Sequence, residues 1–367
     1  MAPARPVLQG SVGAFRAAYA SSSTASIIFD VELKAAQRDR AVHLSNPAED
    51  DPLHVEVASR VVERVLDCTK QFRRALILGG AGSAVLREML RTRAGTALES
   101  VVLADHSRAM LARCRDRLEG RPGMKATYHW IDPRAVDERL GLRVGGDQGE
   151  KFDLVVSCLH LHWVNDIPGV MMQCREMMAP DGFFLGAMLG GETLQEMRIA
   201  CTLAQQERAG GVAPRTSPAV HVRDAGNLLT RAGFQLPAVD VDDVVVNYED
   251  PFAVVEHLRC MGEQSSMRLR IPLSEDVALA AAAVYSTMFG ETSNARGEVE
   301  AGGKSAEGKR EDGEAEAQVG NSRGHVPATY QVIYMSGWSE SNDQTKPRQR
   351  GSATVSFHEL ETHFKAS

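Results

Sequence analysis

Apolar residues recur along this chain in two rhythms. Short unbroken runs at Ala75–Leu78 (ALIL), Val101–Ala104 (VVLA) and Phe152–Ser157 (FDLVVS) read as strands buried on both faces. Tyr128–Ile131, leading to Asp132, and Phe183–Leu185, after the turn Pro180-Asp181-Gly182, have the same character. Between them the spacing predicts helices near Ala84–Arg91, from Ser107 (as N-cap) to Leu118, and near Pro168–Met178. Two further helices precede the first strand. In Phe29 to Val42 (FDVELKAAQRDRAV), Phe29, Leu33 and Ala36 form the apolar stripe, with Lys34, Arg38 and Arg40 around it; the second runs from about His54 to Cys68.

Alternating strands and helices imply βαβ units and a mostly parallel sheet. After residue 190 the pattern changes. Helices are expected at Leu194–Glu207, Val222–Ala232, Phe252–Leu258 and Val277–Phe289, and strands at Val241–Tyr248 and Thr329–Trp338. From Glu291 to His325 the chain is Gly, Glu, Lys, Ala and Ser with almost no large apolar residue, too little to order itself by burial. The organisation expected is a transit peptide (1–28), an N-terminal helical segment (29–70), a core (71–190), helical additions with a sixth strand (191–290), a disordered insertion (291–325) and a last strand with a C-terminal tail (326–367). The fold class is α/β, a doubly wound sheet of seven strands.

Composition narrows the classes. Apolar residues at 43% of 367 supply a core, and a net charge of −7 argues against nucleic acid as the main partner. The cysteines at 68, 114, 158, 174, 201 and 260 include no C-x-x-C pair, so neither a zinc knuckle nor a dithiol redox site is suggested. No apolar run is long enough to span a bilayer. From Met1 to Phe29 there is no Asp or Glu; Arg5 and Arg16 supply positive charge, and Ser21, Ser22, Ser23, Thr24 and Ser26 crowd the end. That is the composition of a mitochondrial or plastid transit peptide.

The candidate chemistry begins after the first strand. Gly79, Gly80 and Gly82 let the backbone pass close to a ligand. Asp105 ends the next strand, where a carboxylate accepts hydrogen bonds from both ribose hydroxyls of a nucleotide. Asp132 ends the third strand, within reach of an adenine amino group. A dinucleotide is disfavoured, because Gly79-Gly80-Ala81-Gly82-Ser83-Ala84 does not match G-x-G-x-x-G. After the fourth strand comes His160-Leu161-His162-Trp163; on an extended strand the two histidines share a face. With Asp132 or Asp166 they would make a two-histidine, one-carboxylate iron site. The simpler reading keeps them as polar walls of a substrate pocket, and no metal site is assigned. Trp163 either stacks on a guanidinium or fills the pocket.

On these residues the chain resembles the class I S-adenosylmethionine-dependent methyltransferases, which carry a D-x-G-x-G-x-G turn, an acid after the second strand and a Pro-x-Gly turn before the fifth. Within that group FDVELKAAQRDRA, LHLHWVNDIPG (159–169), FFLGAMLGGETLQEMR (183–198), AAAAVYSTMF (280–289) and GSATVSF (351–357) resemble the mitochondrial complex I assembly factors of this fold, described as arginine hydroxylases. A more distant similarity is to the malonyl-carrier-protein methyltransferases of biotin synthesis.

The resemblance implies S-adenosylmethionine as cofactor, with an oxidant it does not name. It implies as partners an iron–sulfur subunit of respiratory complex I and other assembly factors. The acid-free, Ser-rich start is expected to direct the chain to the matrix side of the inner membrane, and without a spanning apolar run any membrane association is expected to be peripheral. The chain departs from the family turn: Ile77 stands for its Asp, Ala81 for the middle Gly and Ser83 for the last. A carboxylate that would orient the amino-acid end of the cofactor is therefore missing. Two rivals stand beside arginine hydroxylation: methyl transfer to a small molecule or carrier-bound acyl group, and a non-catalytic assembly chaperone.

Overall fold

The computed structural model describes residues 27–44, 51–118, 124–135, 139–142, 151–290, 326–342 and 344. Two helices come first, α1 (Val31–Leu44) and α2 (Pro52–Leu66). The alternating core then runs β1 (Arg74–Leu78), α3 (Gly82–Arg91), β2 (Ser100–Asp105), α4 (Arg108–Leu118), β3 (Lys125–Trp130), β4 (Phe152–Cys158), α5 (Ile167–Glu176) and β5 (Met178–Leu189). Helices α6 (Gln195–Ala209) and α7 (Val222–Ala232) precede β6 (Gln235–Tyr248); α8 (Pro251–Met261) and α9 (Glu275–Phe289) precede β7 (Val326–Trp338).

The seven strands form one sheet in the order β3-β2-β1-β4-β5-β7-β6. Strands β1 to β5 run parallel, and β7 pairs antiparallel with both β5 and β6. Each central strand is apolar on both faces because both faces are covered. Ala75 and Ile77 of β1 pack into one layer with Val57, Val61 and Leu86 of the helices. Leu76 and Leu78 pack into the opposite layer with Met171 and Leu229.

The expected doubly wound sheet of seven strands is the one observed, and several boundaries move. Strand β5 begins at Met178, so the Pro180-Asp181-Gly182 turn lies inside it as a kink. Asp181 has a φ of +57°, and the pairing register with β4 shifts beside it. The Ser107 cap stands where expected, its hydroxyl accepting the Met110 N–H at 3.0 Å. Strand β6 starts earlier than its apolar alternation, because it is the edge strand of the sheet and its first half is largely exposed. Asp240, Asp242 and Asp243 are tolerated there, and charge on an edge discourages further pairing. The insertion at 291–325 and residues 1–26 lie outside the described residues.

Helix α1 corrects the sequence reading. Its buried face is Lys34, Ala35, Gln37, Arg38 and Ala41, while Ala36 is exposed and Leu33 only half-buried. The physical reason is what the helix covers. It packs on loops whose carbonyls have no helix or strand partner, and buried carbonyls need donors. Lys34 Nζ donates to the carbonyl of Gly262 at 3.0 Å and to that of Gln264; Gln37 Nε2 donates to Ser265 O at 3.1 Å. Arg38 Nη2 donates to Leu159 O at 2.8 Å.

Candidate functional site

The carboxyl ends of β1, β2 and β4 meet under α1, the end of an open α/β sheet where ligands bind. Gly79 leaves β1 with a φ of +102°, and a Cβ there would stand 2.5 Å from the Cβ of His160, so glycine is required. Gly80 faces the Arg38 guanidinium, whose carbon would be 3.3 Å from a Cβ at that position. Together with Gly82, Asp105, Met110 and Cys114, these glycines line a cavity of about 10 Å³. That space holds no more than about one water. The Arg38 side chain, 1% exposed, packs against Gly80 at the edge of this site.

Asp105 binds locally before it binds anything else. Its Oδ1 accepts the Ser107 N–H at 2.7 Å, and its Oδ2 faces Arg38 Nη1 at 3.4 Å. Two buried polar atoms beside it have no partner: Arg38 Nε and His160 Nδ1. Orphaned donors and acceptors of this kind mark a place where a polar group belongs. Arg38 suits a carboxylate and Asp105 suits a ribose diol, so the residues present fit a nucleoside that carries an amino-acid end. Ile77 and Leu103 supply the apolar wall.

Asp132 is not brought to this cavity. It is exposed, and its Oδ1 accepts the Arg134 N–H at 3.0 Å in the turn after β3. Nor do the two histidines lie on an extended strand. Strand β4 stops at Cys158, and Leu161–Trp163 is one tight 3-10 turn, so His160 and His162 diverge. His160 turns to the glycine loop and stacks on His106 with ring centroids 5.5 Å apart. Burial, with His106 and Arg38 beside it, pushes its pKa well below the ordinary histidine value. Asp166 caps α5, accepting the Gly169 N–H at 3.0 Å. Among the described residues no three His, Cys, Asp or Glu side chains gather as metal ligands.

His162 and Trp163 face a second cavity, of about 90 Å³, with Leu189, Met197, Arg215, Tyr330 and Glu263 in its walls. Sequence reasoning missed Glu263. Helix α8 ends in a Schellman turn: the Gly262 N–H bonds Arg259 O, and the Glu263 N–H bonds Leu258 O at 2.9 Å. This turn aims a buried carboxylate between the two cavities. Glu263 Oε2 accepts from His162 Nε2 at 2.9 Å and from the Trp163 indole N–H; Oε1 faces Arg38 Nη2 at 3.4 Å.

The Leu189 N–H points at His162 Nδ1 from 3.4 Å, which places the imidazole proton on Nε2, donated to Glu263. Burial keeps His162 below its ordinary pKa and hence neutral. Burial alone would push Glu263 up, yet the His162 hydrogen bond and the nearby Lys34 and Arg38 cations hold it below the carboxylate range. Lys34 lies over the Trp163 ring at 3.5 Å, and burial lowers it to about 7.

From the Tyr330 wall a hydrogen-bonded chain leads outward. The Tyr330 hydroxyl meets that of Tyr248 at 2.8 Å, Tyr248 meets His257 Nδ1 at 2.6 Å, and His257 Nε2 meets Asp51 at 2.7 Å. A larger groove of about 680 Å³, lined by Lys70, Asp181, Tyr334 and Trp338, opens at the opposite end of the sheet, away from these groups.

A seven-stranded sheet with an antiparallel last strand, a glycine turn after β1 and an acid closing β2 defines the class I methyltransferase fold. The sequence pattern of the methyltransferase domain family matches residues 76–184. Over 341 residues the chain is 36% identical to arginine-hydroxylase NDUFAF5, mitochondrial, of Danio rerio, covering 93% of this chain and 91% of that protein. The human protein of the same name is 36% identical over 334 residues, covering 91% and 83%. A malonyl-[acyl-carrier protein] O-methyltransferase of Halorhodospira halophila is 26% identical over 310 residues, covering 83% and 88%. The chain belongs to the NDUFAF5 arginine-hydroxylase family.

Proposed function

We propose that this protein is a mitochondrial enzyme of respiratory complex I assembly that hydroxylates an arginine of an iron–sulfur subunit. The observation that carries this reading is the buried Glu263–His162–Trp163 group walling a cavity beside the glycine-turn site, in a chain of the NDUFAF5 family. S-adenosylmethionine is the cofactor the first cavity suits, with its ribose on Asp105, its carboxylate on Arg38 and its backbone approach at Gly79 and Gly80. When bound, that cofactor supplies an activated sulfonium centre; the oxygen atom and the two-electron oxidation of hydroxylation would come from an external oxidant, molecular oxygen with a reductant or a peroxide, that it does not itself provide. The protein's own part is to present Arg38 to the amino-acid end and Asp105 to the ribose, with Gly79 and Gly80 keeping the turn free of side chains.

No helix among the described residues is long and apolar enough to cross a membrane. Contact with the matrix face of the inner membrane is accordingly peripheral in this proposal, with the iron–sulfur subunit and other assembly factors as partners. The acid-free first segment with Arg5 and Arg16 fits import, since the membrane potential draws positive charge inward.

The test is a mass measurement. Complex I subunits from cells lacking the gene are compared with those of cells carrying it. Hydroxylation adds about 16 Da to one arginine and methylation about 14 Da. A 14 Da gain transfers the protein to the methyltransferase reading. A second reading, a non-catalytic assembly chaperone, is favoured by the small size, about 10 Å³, of the cavity at the glycine turn. Calorimetric titration of the full chain with S-adenosylmethionine separates the two, since the chaperone reading expects no binding.

A further inference from the structure

Glu263 is an anion placed where a fold needs none. It lies 7% exposed, it closes no helix end with its side chain, and its neighbours are a neutral imidazole, an indole and two cations. A buried carboxylate is costly unless it is paired, and keeping one beside a cavity implies that its charge is used there. Its two oxygens are unequally employed. Oε2 accepts two hydrogen bonds, whereas Oε1 has only the long contact of 3.4 Å to Arg38. An ionised carboxylate has room for about four donors, so Oε1 keeps unused capacity.

The indole of Trp163 stands beside that carboxylate, and its ring already receives one cation, the Lys34 ammonium. Charge balance points the same way. The groups facing Lys34 are Glu263, Arg38, the Trp163 ring and the carbonyls of Gly262 and Gln264. Once Lys34 gives up its proton, Asp105 and Glu263 share only the Arg38 cation, and a second cation from outside restores neutrality.

We infer that Glu263 is the specificity-determining residue of the second cavity: it takes the substrate's guanidinium on Oε1, with Trp163 as the adjoining aromatic wall. The inference rests on the arginine reading above and deepens it. Arginine is preferred to lysine because a planar fork of donors reaches a carboxylate and an aromatic wall together. His162 and the Trp163 N–H act as positioning groups, holding Oε2 while Oε1 keeps only the Arg38 contact. Arg215, also in the wall, does not compete for Glu263: its guanidinium is tied to Gln205 Oε1 at 3.2 Å and to the carbonyls of Ile271 at 2.6 Å and Pro272 at 3.4 Å.

The chain has three tryptophans, which makes the experiment direct. Full-length protein carrying 15N-labelled indoles is titrated with N-acetyl-arginine-amide, with and without S-adenosylmethionine. Trp163→Phe assigns the Trp163 signal. The expected result is a saturable shift of the Trp163 indole, with N-acetyl-citrulline-amide, the neutral isostere, binding about tenfold to a hundredfold more weakly. Glu263→Gln keeps the volume and should erase the preference for arginine over citrulline. Equal arginine affinity in wild type and a folded Glu263→Gln variant overturns this assignment and leaves the arginine reading standing. If the variant does not fold, the wild-type comparison decides alone: equal binding of arginine and citrulline, or a shift at Trp338 in place of Trp163, overturns the assignment. Absence of any arginine binding to the wild-type protein overturns both this assignment and the arginine reading.

Discussion

Replacing Lys34 by Met should change how stability depends on pH. The ammonium is 3% exposed, and burial lowers its pKa from 10.5 to about 7, against the opposing pull of Glu263. In the unfolded chain the same lysine keeps its proton to about pH 10.4. Between those values the unfolded state binds more protons than the folded one, so folding stability rises with pH across that window. Below about pH 7 both states are protonated, and this contribution to the slope vanishes. At about 1.36 kcal/mol per unit, the full shift is worth at most about 5 kcal/mol, of which about 2–3 kcal/mol falls between pH 7 and 9.

The assay is urea unfolding of wild type and Lys34→Met at half-unit steps from pH 6.5 to 9.5. Buried cysteines such as Cys158, pushed up to about 12 by burial, oppose the trend above pH 9, but they do so in both proteins and cancel in the difference. The expected difference curve is flat up to pH 7 and then turns upward in favour of wild type. Parallel curves from pH 6.5 to 9.5 would show that Lys34 titrates as an ordinary surface lysine, and the electrostatic description of the site would fail with it.

Three other outcomes are expected. Asp105→Ala should weaken S-adenosylmethionine binding about tenfold to a hundredfold, the loss of charge-assisted hydrogen bonds, measured by calorimetry at matched folding. Gly79→Ala should lower stability by more than about 2 kcal/mol in chemical denaturation, because it combines a φ of +102° with a 2.5 Å approach to His160 Cβ. Removing residues 291–325 with a short Gly-Ser join should leave the thermal midpoint almost unchanged; strong hydrogen-exchange protection within that segment would contradict the compositional argument.

The sheet was legible because its signal is local. ALIL, VVLA and FDLVVS are unbroken apolar runs, and a strand buried on both faces leaves that mark whatever surrounds it. The glycine turn and Asp105 were legible for the same reason, each sitting where a strand ends. His160 and His162 were found as residues but with the wrong geometry, since nothing local announces that β4 stops at Cys158 and a tight turn follows. The buried charges of the site, Lys34, Arg38 and Glu263, were not legible. Lys34 and Arg38 look like the solvated side of a helix, and only the unpaired carbonyls of distant loops make theirs the buried side. Glu263 follows a glycine after a helix, a pattern that marks the helix end and says nothing of where the next side chain points.

The way Arg38 is held carries a consequence for how the protein comes into being. Its partners Asp105, Leu159 and Glu263 lie 67, 121 and 225 positions further along the chain. A helix made first therefore waits for a glutamate made late, and contacts of such sequence separation form slowly. Until then α1 has a face of Lys34, Gln37 and Arg38 that water satisfies well, so it need not collapse early onto the wrong surface. A chain cut short between residues 163 and 262 still encodes the glycine turn, Asp105 and both histidines, yet it leaves Arg38 without the Glu263 carboxylate. The Arg38 centre is therefore complete only once residues 38 and 263 have met, late in the folding of the chain.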